Sequence, residues 1–387
     1  MRDNDFSNRL LCWYDGNHRL LPWRADPTPY HVWLSEIMLQ QTRVEAVLPY
    51  YERFLAALPD IAALARAPED LYLKLWEGLG YYSRVRNLHK GAEQILSDYH
   101  GEMPGTAAEL EKIAGIGPYT AAAIASIAFQ EPVPAIDGNL LRIFARLTAY
   151  EKSIREPAAR QEALRFFENR ISLRRPGDFN QALMDLGSGV CRAHGEPLCG
   201  SCPLAGFCQA GQNGTAALFP KMPEKKPRPV SHYTVFLIHD QERIALRKRP
   251  KKGLLAGLYE FPNAEGTLSE EEAVRYIRSL GFAPLRLQPL PAAKHLFTHR
   301  EWQLSGYDVL TDELRLEEAE ENVGASSCVD ESPTQGKYRT SPANRSTKKP
   351  DGEAPSGIML VSLQAIREEY SIPSAFSVYK EYLLSRL

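Results

Sequence analysis

Residues 113–142 read IAGIGPYTAAAIASIAFQEPVPAIDGNLLR, and few local structures accept that order. The Ala-rich run after Gly115-Ile116-Gly117 favours helix strongly. The lead-in over residues 107–114 has helical spacing too, with Leu110, Ile113 and Ala114 on one face. The stretch is therefore helix, tight glycine turn, helix. Gly117 is expected at a turn position with φ > 0, and Pro118 in the first turn of the second helix. The amides that open that helix have no partner within it and can take a phosphate. Farther on, Val133-Pro134-Ala135-Ile136-Asp137-Gly138-Asn139 sets a carboxylate on a turn before another helix. An Ala-rich core hairpin with an Asp cap gives the same pattern with no ligand at all.

A chain of 387 residues suggests two or three domains, and 44% apolar residues can build ordinary cores. No apolar run is long enough to cross a membrane, and residues 1–15 have no signal-peptide core. The expectation is a cytoplasmic, bacterial protein without a membrane partner. The net charge of −2 means that any nucleic-acid footprint must be a local patch. Four of the six cysteines crowd into residues 191–208, which in a cytosolic chain argues for metal rather than disulfides.

Residues 6–21 have a helical face of Phe6, Leu10, Trp13 and Tyr14, followed by the Pro-punctuated turn Leu21-Pro22-Trp23-Arg24. Residues 30–47 read as one long helix with Glu36 in its middle. Spacing alone leaves Glu36 on the wet side; an inward orientation would raise its pKa toward that of a general acid. Residues 75–91, LWEGLGYYSRVRNLHKG, put paired tyrosines beside Arg84, Arg86 and Lys90, a composition suited either to clamping nucleic acid or to a plain structural turn. A helical pair over residues 156–189 contains Asn180-Gln181-Ala182-Leu183-Met184-Asp185. The cysteines follow as Cys191-x7-Cys199-x2-Cys202-x5-Cys208. Four thiolates suit either a [4Fe–4S] cluster or zinc. With a single C-x2-C knuckle, the spacing favours the cluster. Cys12 and Cys328 have no evident role.

Residues 218–231 read as a Pro- and Lys/Arg-rich linker. Strands are expected over 233–240 and 242–249, a helix over 269–280, and two strands in 291–310 around a Phe297-Thr298-His299 loop. KKGLLAGLYEFP resembles the start of a Nudix-like domain. The positions where a Nudix hydrolase carries metal-binding glutamates hold Arg275, Arg278 and Ser279, which argues for a reader rather than a hydrolase. Residues 311–356 read as a disordered insertion. Order returns at 358 and closes with a helix containing Ala375 and Phe376.

SEIMLQQT, the hairpin, the Asp turn, the four cysteines and the Nudix-like tail together resemble the MutY family of adenine DNA glycosylases, over the whole chain except residues 311–356. The resemblance implies a mostly α N-terminal region, residues 1–217, with a helix-hairpin-helix glycosylase fold and a [4Fe–4S] loop. An α+β Nudix-like domain follows over 232–387. It implies a monomer that binds double-stranded DNA and hydrolyses the N-glycosidic bond of adenine opposite 8-oxoguanine or guanine, after base flipping. In that scheme Glu36 is the catalytic acid and Asp137 stabilises the oxocarbenium-like sugar, with Asn139 orienting Asp137 or the phosphate. Tyr119 stands where an endonuclease III-type lyase carries its Schiff-base lysine, implying a purely hydrolytic enzyme. Gln41 and Tyr81 enter the DNA stack; Trp23, Arg24 and Gln181 lie by the adenine pocket; Gly115 and Gly117 meet the backbone. Cys191, Cys199, Cys202 and Cys208 hold the cluster, although the first gap is one residue longer than is usual. Phe297, Thr298 and His299 read the lesion, with Thr298 in place of the usual Ser. A catalytically silent damage-binding protein would need neither Glu36 nor Asp137.

Overall fold

The computed structural model describes residues 4–223, 227–312 and 357–385. The chain divides into two compact units, Met1–Pro227 and Arg228–Leu387. Among the described residues no helix is long and apolar enough to cross a membrane.

The first unit is helical. Helix α1 (Asn4–Asn17) buries Phe6, Leu10 and Tyr14, four residues apart and so on one face. Helix α2 (Pro22–Ala25) is a single turn, and α3 (Pro29–Leu39) opens on a Thr28 cap whose side chain accepts from the His31 amide. The single helix expected over 30–47 is two: α3 ends at Leu39, Gln41 takes φ 61°, and α4 (Val44–Ala57) starts after it. Polar Gln40-Gln41-Thr42 carries no glycine or proline to announce the break. Helices α5 (Ile61–Arg66), α6 (Glu69–Leu75) and α7 (Ser83–Asp98) complete this layer, with α3 packed on α7.

The hairpin is α8 (Ala107–Leu110), shorter than its spacing suggested, and α9 (Pro118–Ala128). The left-handed residue between them is Gly115, φ 81°, not Gly117, which caps α9 in extended backbone at φ −89°. A Cβ on Gly115 would lie 2.6 Å from that of Asn87, so close approach as well as φ requires glycine. A Cβ on Gly117 would meet nothing within 4 Å, leaving the start of α9 open to a ligand. Helices α10 (Gly138–Leu147), α11 (Pro157–Glu168) and α12 (Pro176–Gly189) form, with α1, a second core around Phe6, Phe144, Phe167 and Phe179. The cysteine segment follows α12 and leads into the short α13 (Gln209–Gln212).

Asn180 on α12 fixes the loop before α10. Its Oδ1 accepts from the Ala135 amide (3.0 Å), and its Nδ2 donates to Ser126 Oγ (2.8 Å) and to the Val133 carbonyl (2.9 Å). It is fully buried, so no water replaces these partners.

The second unit is a mixed sheet built from β1 (Val230–His239), β2 (Arg243–Lys248), β3 (Tyr259–Glu260), β4 (Asn263–Glu265), β5 (Pro284–Leu296), β6 (Glu301–Thr311) and β7 (Ile358–Ser362). The order is β3-β2-β1-β6-β5, with β4 on β1 and β7 on β2; β1 and β6 run parallel. Residues of β1 alternate between two cores: Phe236 and Ile238 face α14 (Glu270–Ser279), while Val235 and Leu237 face the layer of α15 (Leu363–Glu368) and α16 (Ser377–Leu384). A Ser269–Glu272 capping box opens α14, and Arg275, Arg278 and Ser279 lie exposed along it. Thr311, read from sequence as the start of the insertion, is the last residue of β6. Asp312 is also described, whereas residues 313–356 of that stretch lie outside the described residues, Cys328 among them. Ala375 and Phe376 form a 3₁₀ turn just before the closing helix rather than part of it.

Replacing Asn180 by Ala strands a buried amide and a carbonyl, and should cost roughly 2–4 kcal/mol. Urea denaturation followed by the helical circular dichroism signal checks this: an unchanged midpoint would contradict the role given to Asn180.

Candidate active site

A cavity of about 880 Å³ in the first unit is lined from α2, α3, α9, α10 and α12. Glu36 enters it from α3. That helix is buried on nearly every side, from Tyr30 to Met38, so the expectation from spacing is reversed: Glu36 is 6% exposed. Its Oε2 accepts from the Tyr119 hydroxyl on α9 at 2.5 Å. Burial, reinforced by the charge of Asp137, pushes the Glu36 pKa up to about 7; the Tyr119 hydrogen bond and the Arg24 guanidinium oppose the shift. Burial also holds the Tyr119 phenol well above its usual pKa, so it stays a donor.

Asp137 caps α10. Its Oδ1 accepts from the Leu140 amide and its Oδ2 from Asn139 Nδ2, both at 2.7 Å. Burial raises its pKa, and these hydrogen bonds and Arg142 pull it back. Asn139 is itself held: its Oδ1 accepts from Arg142 Nη2 at 2.8 Å, and that nitrogen also donates to the Gly187 carbonyl at 2.7 Å. Arg142 Nε donates to the Cys191 carbonyl (3.0 Å), and one turn on, Arg146 Nη1 reaches Cys191 Sγ (3.2 Å). The chain of contacts runs from the carboxylate to the cysteine segment.

Trp23 is buried, ring centroid 5.1 Å from that of Tyr51, and lines the cavity together with Gln181. Arg24 also lines it, and its guanidinium pairs with buried Asp185 through Nη1–Oδ2 at 2.7 Å and Nη2–Oδ1 at 3.0 Å. Arg19 joins the same carboxylate at 2.6 Å. Gln41 is exposed at the cavity edge. Tyr81, φ 47° and 46% exposed, is not among the cavity-lining residues, and neither are Gly115 and Gly117. Sequence reading missed Asp185, Asn180, Arg142 and Arg146. Gln181 with Asp185, and Arg142 with Arg146, stand four apart on one helix, a spacing that signals a shared face.

Cys191, Cys199, Cys202 and Cys208 line one cavity of about 340 Å³ with Val190, Leu198 and Ala216. Among the described residues no three His, Cys, Asp or Glu side chains sit together closely enough for a single metal ion. The thiols border a space rather than meet at a point. Besides Arg146, the Gly211 amide points at a sulfur, Cys208 Sγ, at 3.3 Å. Cys12 is exposed on α1, away from this set.

In the second unit Thr298 and His299 are the exposed tip of the β5–β6 hairpin, closed by the Phe297 amide on the Arg300 carbonyl at 2.9 Å. Phe297 packs on His295 and Trp302, with centroids 4.5 and 4.9 Å away. The Arg228 Nε donates to the Thr298 carbonyl at 3.2 Å. Buried Glu260, also missed in the sequence, pairs with Arg247 and Arg249.

The raised Glu36 pKa has a stability consequence. The folded chain binds the Glu36 proton between its ordinary value of 4.5 and about 7, so stability falls as pH rises through that window. Glu36→Gln removes this loss and should be more stable than the parent at pH 8 by on the order of 3 kcal/mol, with the difference shrinking toward pH 5. Thermal melts of both proteins across that range check it; parallel Tm curves would contradict the burial argument.

Residues 34–169 match the family described as HhH-GPD superfamily base excision DNA repair protein, and residues 234–377 match the NUDIX domain. The adenine DNA glycosylase of Mus musculus is 34% identical over 367 residues, which cover 80% of this chain and 71% of the mouse protein. That of Buchnera aphidicola subsp. Baizongia pistaciae is 33% identical over 298 residues, 76% of this chain and 83% of the relative. The Arabidopsis thaliana adenine DNA glycosylase is 40% identical over 302 residues, covering 68% of this chain but 47% of the plant protein, so the match spans about half that relative's length. By these similarities the chain belongs to the adenine DNA glycosylase family.

Proposed function

We propose that this protein is a DNA repair glycosylase that hydrolyses the N-glycosidic bond of adenine mispaired with 8-oxoguanine or guanine in duplex DNA. The observation that carries the reading is a pair of inward carboxyl groups on one cavity, one with its pKa raised to about 7 by burial and the other fixed by hydrogen bonds. Adenine is a poor leaving group until a ring nitrogen is protonated. Glu36, whose pKa of about 7 keeps a substantial fraction protonated at neutral pH, donates that proton, and the Tyr119 hydroxyl holds its carboxyl in place. Departure of the base leaves positive charge on the sugar. Asp137 supplies the opposing charge from a position set by Leu140 and Asn139 before the reaction begins. Trp23 and Gln181 form walls of the adenine pocket, while Gln41 and Tyr81 fill the stack vacated by the flipped nucleotide. The open start of α9 beside Gly117 takes a backbone phosphate.

The four cysteines fit a [4Fe–4S] cluster: all four thiols border one space, and a guanidinium and an amide point at two of the sulfurs. When bound, the cluster would order the segment around it and contribute charge near DNA. Through Arg142 and Arg146 that segment supports Asn139 and Asp137. The exposed Thr298 and His299 offer a hydroxyl and an imidazole to the altered edge of 8-oxoguanine. We read the protein as a cytoplasmic monomer that acts on double-stranded DNA.

The test is single-turnover adenine release from duplexes with adenine opposite 8-oxoguanine, guanine or thymine. Glu36→Gln should keep duplex binding and lose roughly 10²–10⁴-fold in release. The parent rate should fall as pH rises through about 7, because the protonated form of Glu36 is the active one. A flat profile, or a variant within about tenfold of the parent, would remove Glu36 as the acid. The purified protein should absorb broadly in the visible and hold iron and acid-labile sulfide, about four of each per chain. Zinc in their place would overturn the cluster assignment.

A further inference from the structure

Arg84, in the first turn of α7, directs its guanidinium at main-chain carbonyls. Its Nη1 donates to Ile37 (2.7 Å), Met38 (3.1 Å) and Gln40 (2.6 Å), and its Nη2 to Leu79 (3.1 Å) and Gly80 (3.3 Å). Ile37 and Met38 lie in the last turn of α3, the helix that carries Glu36, and Gln40 is the residue that follows it; the other two belong to the turn before α7. The guanidinium also lies 5.4 Å from the Trp76 ring centroid and 5.5 Å from that of Tyr81. One planar fork therefore joins two segments distant in sequence.

Each segment continues directly into a non-glycine residue in the left-handed region, Gln41 at φ 61° and Tyr81 at φ 47°, and both are exposed. Such a backbone is strained and persists only where its surroundings over-determine it. The carbonyl immediately before each of them, Gln40 and Gly80, is an acceptor of Arg84. Burial draws the Arg84 pKa down to about 10, which still leaves it cationic at neutral pH.

We infer that Arg84 is a positioning residue that fixes Gln41 and Tyr81 as a rigid pair, so that both side chains enter the duplex together as the target nucleotide is withdrawn. This rests on the glycosylase reading above and assigns a single residue to the extrusion step, separate from bond cleavage. The fork geometry matters as well as the charge: lysine has its donors on one nitrogen and cannot fill the separate Nη1 and Nη2 positions that serve the two segments.

The experiment uses the full chain and a duplex with 2-aminopurine in place of adenine opposite 8-oxoguanine, whose fluorescence rises when the base leaves the stack. Glu36→Gln, which separates binding from chemistry, should give the rise. Adding Arg84→Lys or Arg84→Met should keep duplex affinity within about threefold while the rise falls at least about fivefold, since a small misplacement of a positioned group has a large effect. With Glu36 intact, the Arg84 variants should release adenine at least about tenfold more slowly from duplex, but lose much less on adenine already unpaired in an internal loop. Equal losses on both substrates would mark Arg84 as merely structural and overturn the proposal, as would an undiminished rise or rescue by lysine. If the parent releases adenine but 2-aminopurine never brightens, this inference fails and the glycosylase reading stands. If the parent releases no adenine from any of these duplexes, the glycosylase reading itself fails and takes the inference with it.

Discussion

Glu36 is kept out of water by a helix that has almost no wet side, and that burial is what the first unit is arranged to tolerate. An ionised carboxylate there would be expensive, so the group retains its proton to near-neutral pH and leans on one phenol. Asp137 faces the same space and solves the opposite problem. Its charge is supported by an amide, a side-chain amide and, one step removed, a guanidinium. Two carboxyl groups with different supports can divide acid and anion roles, and the charge of Asp137 adds to burial in pushing the Glu36 pKa upward. The low stability of an ionised Glu36 is thus the same physical fact as its raised pKa.

Buried and half-buried arginines are the second theme of this unit, and they act through carbonyls as well as through carboxylates. Arg142, Arg146 and Arg84 all donate to main-chain oxygens at helix ends or in irregular segments. Loops at a functional site have few partners of their own, and a guanidinium with five donors can satisfy several carbonyls at once. Arg24 and Arg19 follow the other pattern, converging on Asp185 beneath the cavity. Removing any one of these groups would leave its partners unsatisfied, so their loss should act on both shape and stability.

Much of this was legible in the sequence, for identifiable reasons. The glycine hairpin, the Asp turn and the cysteine spacing are local patterns, and local patterns survive translation into structure. The strand expected from residue 233 and the helix expected from Ser269 were readable on the same terms. The inward direction of Glu36 was not, because helical spacing cannot show that α3 is covered on nearly all sides. The break at Gln41 escaped because its cause lies in Arg84, distant in sequence. Gly117 was expected to carry the positive φ that Gly115 carries; two glycines one residue apart offer the turn a choice that only the approach of Asn87 decides. The pairing of Arg24 with Asp185 was not readable, because its partner lies on another helix.

The parallel pairing of β1 with β6 has a temporal consequence. Val230 is in register with Glu301 and His239 with Leu310, so the centre of the second unit's sheet cannot close until the chain through β6 has emerged from the ribosome. Contacts of that sequence separation form late and slowly. Every contact that holds Glu36 and Asp137 lies before Pro227, among helices whose partners are present earlier in synthesis. The order of synthesis therefore favours completion of the first unit's cavity while the sheet is still open, with the exposed strand β1 waiting for its neighbour as the segment most in need of protection from unwanted pairing.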